Sequence, residues 1–131
     1  MNITQALLDS LTGQAKASLR LLMNMDLRNG PEDKSQRMLN AIDSGSPMPL
    51  QRHQKNSETV VCLRGCLVWE FYDDLKLICT ETIVLTPMGS FVALNVPVGQ
   101  WHTVKALESS SVILECKERV YKPLSAEDIL E

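Results

Sequence analysis

Gly45-Ser46-Pro47-Met48-Pro49-Leu50-Gln51-Arg52-His53-Gln54-Lys55-Asn56-Ser57-Glu58, followed by the run to Gly65, is the stretch whose reading decides the fold. Gln51 and His53 stand two apart, so in a strand they project to one face. Glu58 opens the next run after the polar turn Gln54-Lys55-Asn56-Ser57, and a hairpin there is expected to bring all three side chains together. Gly65 suits the turn Arg64-Gly65-Cys66, because a residue without Cβ lets the chain reverse into Leu67-Val68-Trp69-Glu70. Far along the chain, Pro97-Val98-Gly99-Gln100-Trp101-His102 reads as a second turn that delivers His102 at the head of a strand, expected from the opposite sheet. Two imidazoles and a carboxylate converging on a point are good donors for a divalent transition metal.

Outward from these stretches, the organisation changes once. From Thr4 to about Arg20, Ala6, Leu7, Leu8, Leu11, Ala15, Leu19 and Leu22 follow three- and four-residue spacing, which predicts one helix with Thr4 as N-cap and Gly13 as a weak point. Asn29-Gly30-Pro31-Glu32-Asp33 breaks that pattern. Beyond it, short runs predict strands over 37–42, 48–53, 58–63, 67–72, 77–85, 91–96, 102–107 and 112–117, at the spacing of a sandwich or small barrel. Ser125 is expected to cap a last turn of helix, with Glu127 and Asp128 at its positive end. The expected division is a helix and linker over 1–30 and one barrel domain over 31–131.

Bulk properties narrow the partners. A chain of 131 residues suffices for one domain with a core that needs no staples. Thirteen basic and 16 acidic residues leave a net charge of -3 without a Lys/Arg cluster, which argues against nucleic acid. No apolar run approaches the roughly 18 residues of a membrane span, and the start of the chain carries no basic leader, so a cytoplasmic protein is expected. Cys62, Cys66, Cys79 and Cys116 sit mostly within apolar runs, as reduced, buried thiols do.

The spacing of the two stretches resembles the cupin superfamily, whose first motif runs G-x5-H-x-H-x3,4-E-x6-G and whose second runs G-x5-P-x-G-x2-H-x3-N. Gly45, Gln51, His53, Glu58 and Gly65 reproduce the first spacing, with the first histidine replaced by Gln51. Pro97, Gly99 and His102 match the second, while its leading glycine falls on Phe91 and its final asparagine on Ala106. The resemblance implies an all-β double-stranded β-helix, a jelly-roll barrel with one N-terminal helix. Asp26-Leu27-Arg28, the run 36–42, Ser57-Glu58-Thr59-Val60-Val61, Glu70-Phe71-Tyr72-Asp73 and Gly99-Gln100-Trp101-His102-Thr103-Val104 look more narrowly like WbuC-type cupin metalloproteins found among bacterial surface-polysaccharide genes. Members of that group usually read His-Arg-His where this chain reads Gln51-Arg52-His53.

The implied metal set is Gln51, His53, Glu58 and His102, holding a divalent ion that the residues do not discriminate among Zn, Fe, Mn and Ni. An amide oxygen is a weaker donor than imidazole. Gln51 therefore has three readings: a ligand, a hydrogen-bond partner of metal-bound water, or the mark of a site without its metal. Arg37 is a candidate for a substrate carboxylate or phosphate, although Arg37 and Asn40 stand three apart in a strand and at most one faces the pocket. Cys62 shares a face with Glu58 and is a second substrate-side candidate, against the plainer reading of a buried inert thiol. Trp101 and Tyr121 suit a pocket mouth or the core equally.

Two functions fit this pattern. One is a metalloprotein acting on a small polar substrate, with sugar or polysaccharide chemistry suggested only by the family's genomic company. The other is a metal-free small-molecule-binding barrel without catalytic activity. No acid and base pair names a reaction. Barrels of this superfamily often pair through their sheets, so a homodimer is expected.

Overall fold

The structure, a computed structural model, describes residues 1–75, 77–119 and 122–130. Helix α1 spans Gln5–Ala17, and Thr4 Oγ1 accepts the Leu7 N–H at 3.1 Å, the anticipated cap. The helix ends earlier than its apolar stripe. The chain turns at Ser18, Leu21 adopts a left-handed φ of 55°, and Leu19 is left fully exposed. Leu22 belongs instead to strand β1, Leu22–Asp26, whose alternation was hidden because its first leucine extended the helical spacing.

The remaining strands are β2 (Ser35–Ile42), β3 (Leu50–Gln51), β4 (Glu58–Arg64), β5 (Leu67–Tyr72), β6 (Cys79–Leu85), β7 (Ala93–Val96), β8 (Trp101–Ala106), β9 (Ser111–Glu118) and β10 (Ile129–Leu130). Each of the eight expected strands is present, β5 with the expected ends and the other seven with shifted ones; β1 and β10 are additions. Pairing is antiparallel throughout, in a sheet of order β1-β2-β9-β4-β7 facing one of order β10-β3-β8-β5-β6. This is the expected all-β barrel with a single N-terminal helix.

Alternation builds two cores. On β4, Glu58, Val60 and Cys62 are buried, and on β5 so are Leu67, Trp69 and Phe71; these point into the barrel. The opposite face of the first sheet, carrying Leu39, Ala41 and Val112, is covered by Leu8, Leu11 and Ala15 of α1. Burying each such leucine contributes roughly 1.5–3 kcal/mol, so α1 stabilises the sheet from outside without entering the barrel. At the β4 to β5 turn, Gly65 has a φ of +82°, and a Cβ there would stand 2.7 Å from Ser111 Cα. Only glycine fits that approach, and it lets Ser111 Oγ receive the Cys66 N–H at 3.2 Å.

The expected hairpin between Gln51 and Glu58 does not form. Strand β3 stops at Gln51 and lies in one sheet, whereas β4 lies in the other. The polar segment between them passes from one sheet to the other, and its backbone bonds run to Asp128 and Gly99 instead of to β4. The last helical turn is a 3-10 turn over Ala126–Asp128, and Ser125 does not cap it; its hydroxyl donates to Asp128 Oδ2 instead. No helix among the described residues is long and apolar enough to cross a membrane.

Candidate metal centre

His53, Glu58 and His102 converge at the open end of the barrel, with one donor atom from each lying within 4.8 Å of the others. His102 is the second residue of β8, beside Gln51 of β3 in register, so the two share a sheet and an inward face. Glu58 starts β4 in the facing sheet, opposite Val96. The convergence is therefore across the sandwich: His102 Nε2 lies 3.3 Å from Glu58 Oε1, and His53 Nε2 lies 3.7 Å from Glu58 Oε2. Donors sharing one ion at bonds of about 2.1 Å stand roughly 3–4 Å apart, and these separations match.

His53 lies beyond the end of β3 and is held by its neighbours. Its carbonyl accepts the Gly99 N–H at 2.7 Å, tying the two sequence stretches together, and Gly99 reaches that position with a φ of +78°. Arg52 spans to Asp128 at 2.8 Å and lies 4.7 Å over the Trp101 ring, while the Gln54 amide also donates to Asp128. Burial works against charge on Asp128, but the donors Arg52, Gln54 and Ser125 hold its carboxyl below the usual range. Asp128 thus grips both residues flanking His53. The sequence reading placed Asp128 only at a helix end, because nothing local pairs it with a residue 76 positions away.

The protonation states suit metal ligation. His102 Nδ1 faces the Gln100 carbonyl at 2.9 Å, and a carbonyl only accepts, so Nδ1 carries a proton and Nε2 is the ring atom turned towards the site. Burial, reinforced by the Lys117 cation, depresses His53 from 6.5 to about 4, which keeps that ring neutral. His53 Nε2 is buried without a hydrogen-bond partner. An unpartnered imidazole nitrogen of His53 beside a carboxylate and a second imidazole fits a cation of the transition series.

A second polar layer backs Glu58. Lys117 Nζ lies 3.5 Å from Glu58 Oε2 and 2.7 Å from Glu115 Oε1, and Asn40 donates to Glu115 Oε2 at 2.8 Å. Burial opposes the charge on Glu58, yet His102, Glu115 and Lys117 together hold its carboxyl below the usual carboxylate range. Glu115 moves the other way: burial and the Glu58 charge push it up to about 7. The Lys117 ammonium is stabilised against burial by both carboxylates, and its pKa is raised. Glu115 and Lys117 escaped the sequence reading, although their two-residue spacing on β9 was a legible sign that both face inward.

The other sequence candidates separate. Asn40 lines a cavity of 460 Å3 with Gln51, Glu58 and His102, whereas Arg37 points to the opposite face of β2 and pairs with Asp33 at 3.4 Å. Arg37 is therefore not brought to the triad, because odd positions of β2 face away from the barrel. Cys62 shares the inward face with Glu58 but packs in the apolar core, where burial raises its thiol pKa. Trp101 is buried under Arg52. Tyr121 lies outside the described residues.

Solved structures of known proteins share this fold. KdgF from Halomonas sp. superposes with a TM-score of 0.59 at 16% identity, over 75% of this chain and 80% of that one. A cupin 2 domain-containing protein from Halorhodospira halophila gives 0.58 at 16% identity, over 82% and 72%. The capsular polysaccharide assembling protein CapF from Staphylococcus aureus gives 0.55 at 20% identity, over 70% of this chain and 25% of that one. No curated protein matches the chain by sequence. The architecture is the cupin fold, and a family profile matches residues 3–84, so the chain belongs to the family described as Domain of unknown function (DUF6016).

Proposed function

We propose that this protein is a small cupin metalloprotein that holds a divalent transition metal on His53, Glu58 and His102, with Gln51 beside them, and acts on a small polar substrate. The observation that carries the reading is the buried His53 Nε2, which has no partner and faces the Glu58 carboxylate at 3.7 Å. A bound divalent ion supplies Lewis acidity, polarising a substrate oxygen or activating water. The chain's own residues keep the His53 ring neutral and the Glu58 carboxylate charged. WbuC-type resemblance and the likeness to CapF support a link to sugar or polysaccharide chemistry. A cytoplasmic homodimer is part of the same proposal, checked by sedimentation mass.

A metal-free binding barrel is the second reading, favoured by Lys117, whose ammonium already serves Glu58 as a counter-ion at 3.5 Å. Elemental analysis of protein purified without chelator or metal-affinity tag separates the two. Near-stoichiometric metal in the wild type and its loss in His102→Ala is the expected result. A metal-free wild type that cannot be reconstituted overturns the first reading.

A further inference from the structure

Beside the triad lies an outer cavity of 420 Å3 that also touches His53, and its wall carries Lys55, Lys117, Arg119 and Lys122. Lys117 and Lys122 line the inner cavity as well, so the two spaces share a wall. Among the described residues no ion pair engages Lys55, Arg119 or Lys122, whereas of the two acids on this wall, Glu127 and Asp128, the second is taken up by Arg52. Three uncommitted cations against one free carboxylate make this mouth positive on a chain of net charge -3. Such a field concentrates and orients small anions.

The inner cavity asks for something else. Trp69, one side-chain layer below His102 in the register of β5 against β8, lines it, and its indole Nε1 is buried without a hydrogen-bond partner. A buried N–H left unpaired is costly, and an oxygen acceptor on a ligand removes that cost. The Gln51 and Asn24 amides face the same space, and amides donate and accept as hydroxyl groups require.

We propose that the ligand of this site is a small polyhydroxylated anion, a sugar acid or sugar phosphate, whose acid group rests among Lys55, Arg119 and Lys122 while its uncharged oxygens extend inward past Lys117 towards the triad and the Trp69 N–H. The proposal deepens the function given above and rests on it for the site being a ligand pocket. Carboxylate and phosphate share the anionic chemistry the mouth recognises, and the two are separated by measurement.

The test uses the full chain loaded with Ni2+, its metal content measured first, and titrates glucuronate, glucose 6-phosphate and glucose against tryptophan fluorescence and heat of binding. At least one of the two anions is expected to bind about tenfold or more tighter than glucose, and an Arg119→Gln/Lys122→Gln double variant to weaken that anion about tenfold, as two partly exposed charges would. Metal content in the double variant stays at the wild-type level. Trp69→Phe, which keeps the ring and removes the donor, is expected to weaken the same anion with metal content unchanged. Glucose binding as tightly as both anions, no binding of any of the three, or unaltered anion affinity in the double variant overturns the proposal. Anion binding without metal overturns the metal reading alone, and metal without anion binding overturns this one alone.

Discussion

The two ends of the barrel interior are built from the same strands and behave as opposites. At the closed end β4 contributes Val60 and Cys62, β5 contributes Leu67, β6 Leu85 and β9 Ile113, all buried and apolar. At the open end β4 contributes Glu58, β8 His102 and β9 Glu115 and Lys117, so that five titratable groups including His53 share one small volume. A cluster of that kind is costly in a folded protein unless every member is paired or ligated. The closed end supplies the stabilisation, and the open end is free to carry chemistry, because each strand passes from one environment to the other within a few residues.

Separability of the two ends is the feature to break. Leu67→Ala at the closed end should cost about 2–5 kcal/mol by large-to-small truncation, read as a lower urea midpoint, with metal affinity of the folded fraction unchanged. Glu58→Gln at the open end should do the reverse. On the proposed metal reading, loss of the Glu58 carboxylate should weaken metal binding by at least about a hundredfold, since changes one shell further out already cost about 10–100-fold. The melting temperature should move little, because Lys117 keeps Glu115 as its partner. Loss of stability without loss of metal in Glu58→Gln would mean that the polar cluster is itself structural.

Smaller changes sharpen the same contrast. Gln51→His restores an imidazole beside His102 and should tighten transition-metal binding by roughly tenfold; unchanged affinity places residue 51 outside the ligand set. Asp128→Asn weakens the grip on Arg52 and Gln54, so stability should fall by only about 0.2–1 kcal/mol, as for a partly exposed ion pair, while the position of His53 loosens and metal affinity falls with it. The smallest signal is spectroscopic. In metal-free protein the His53 ring should show no titration between pH 8 and 5, because its pKa is held at about 4. An unfolded chain takes up that proton near pH 6.5, so His53 contributes a loss of stability as pH falls from 6.5 towards 4. Glu115, raised to about 7, contributes the opposite sign as pH falls below 7. A midpoint near 6.5 for the His53 resonance would show that the ring is solvated and the open end is not a closed polar cluster.

Several features were legible because they are local. The Thr4 cap, the Gly65 turn and the strands over 58–64 and 67–72 follow from side-chain capping, a positive φ and two-residue alternation. The three residues His53, Glu58 and His102 were legible as a set from spacing and motif resemblance, and the structure brings them within ligand distance of one another. Others were not. Strand β1 was masked by helical spacing that ran into it, β10 is two residues long, and the route from Gln51 to Glu58 looked like a hairpin although it passes between sheets. Arg37 attracted attention by its chemistry, and the register of β2 turned it away from the barrel.

By itself, then, the sequence determined which residues can turn, which alternate, and which donors the chain possesses, since these depend on backbone conformations and side chains within a few positions of each other. The tertiary structure alone decided that Glu58 meets His102 across two sheets, that Lys117 and Glu115 stand behind it, and that Asp128 holds Arg52 and Gln54 on either side of His53. Those contacts join residues from 44 to 76 positions apart. Their geometry is set by sheet order and strand register, which arise from packing the whole barrel and are written in no single segment.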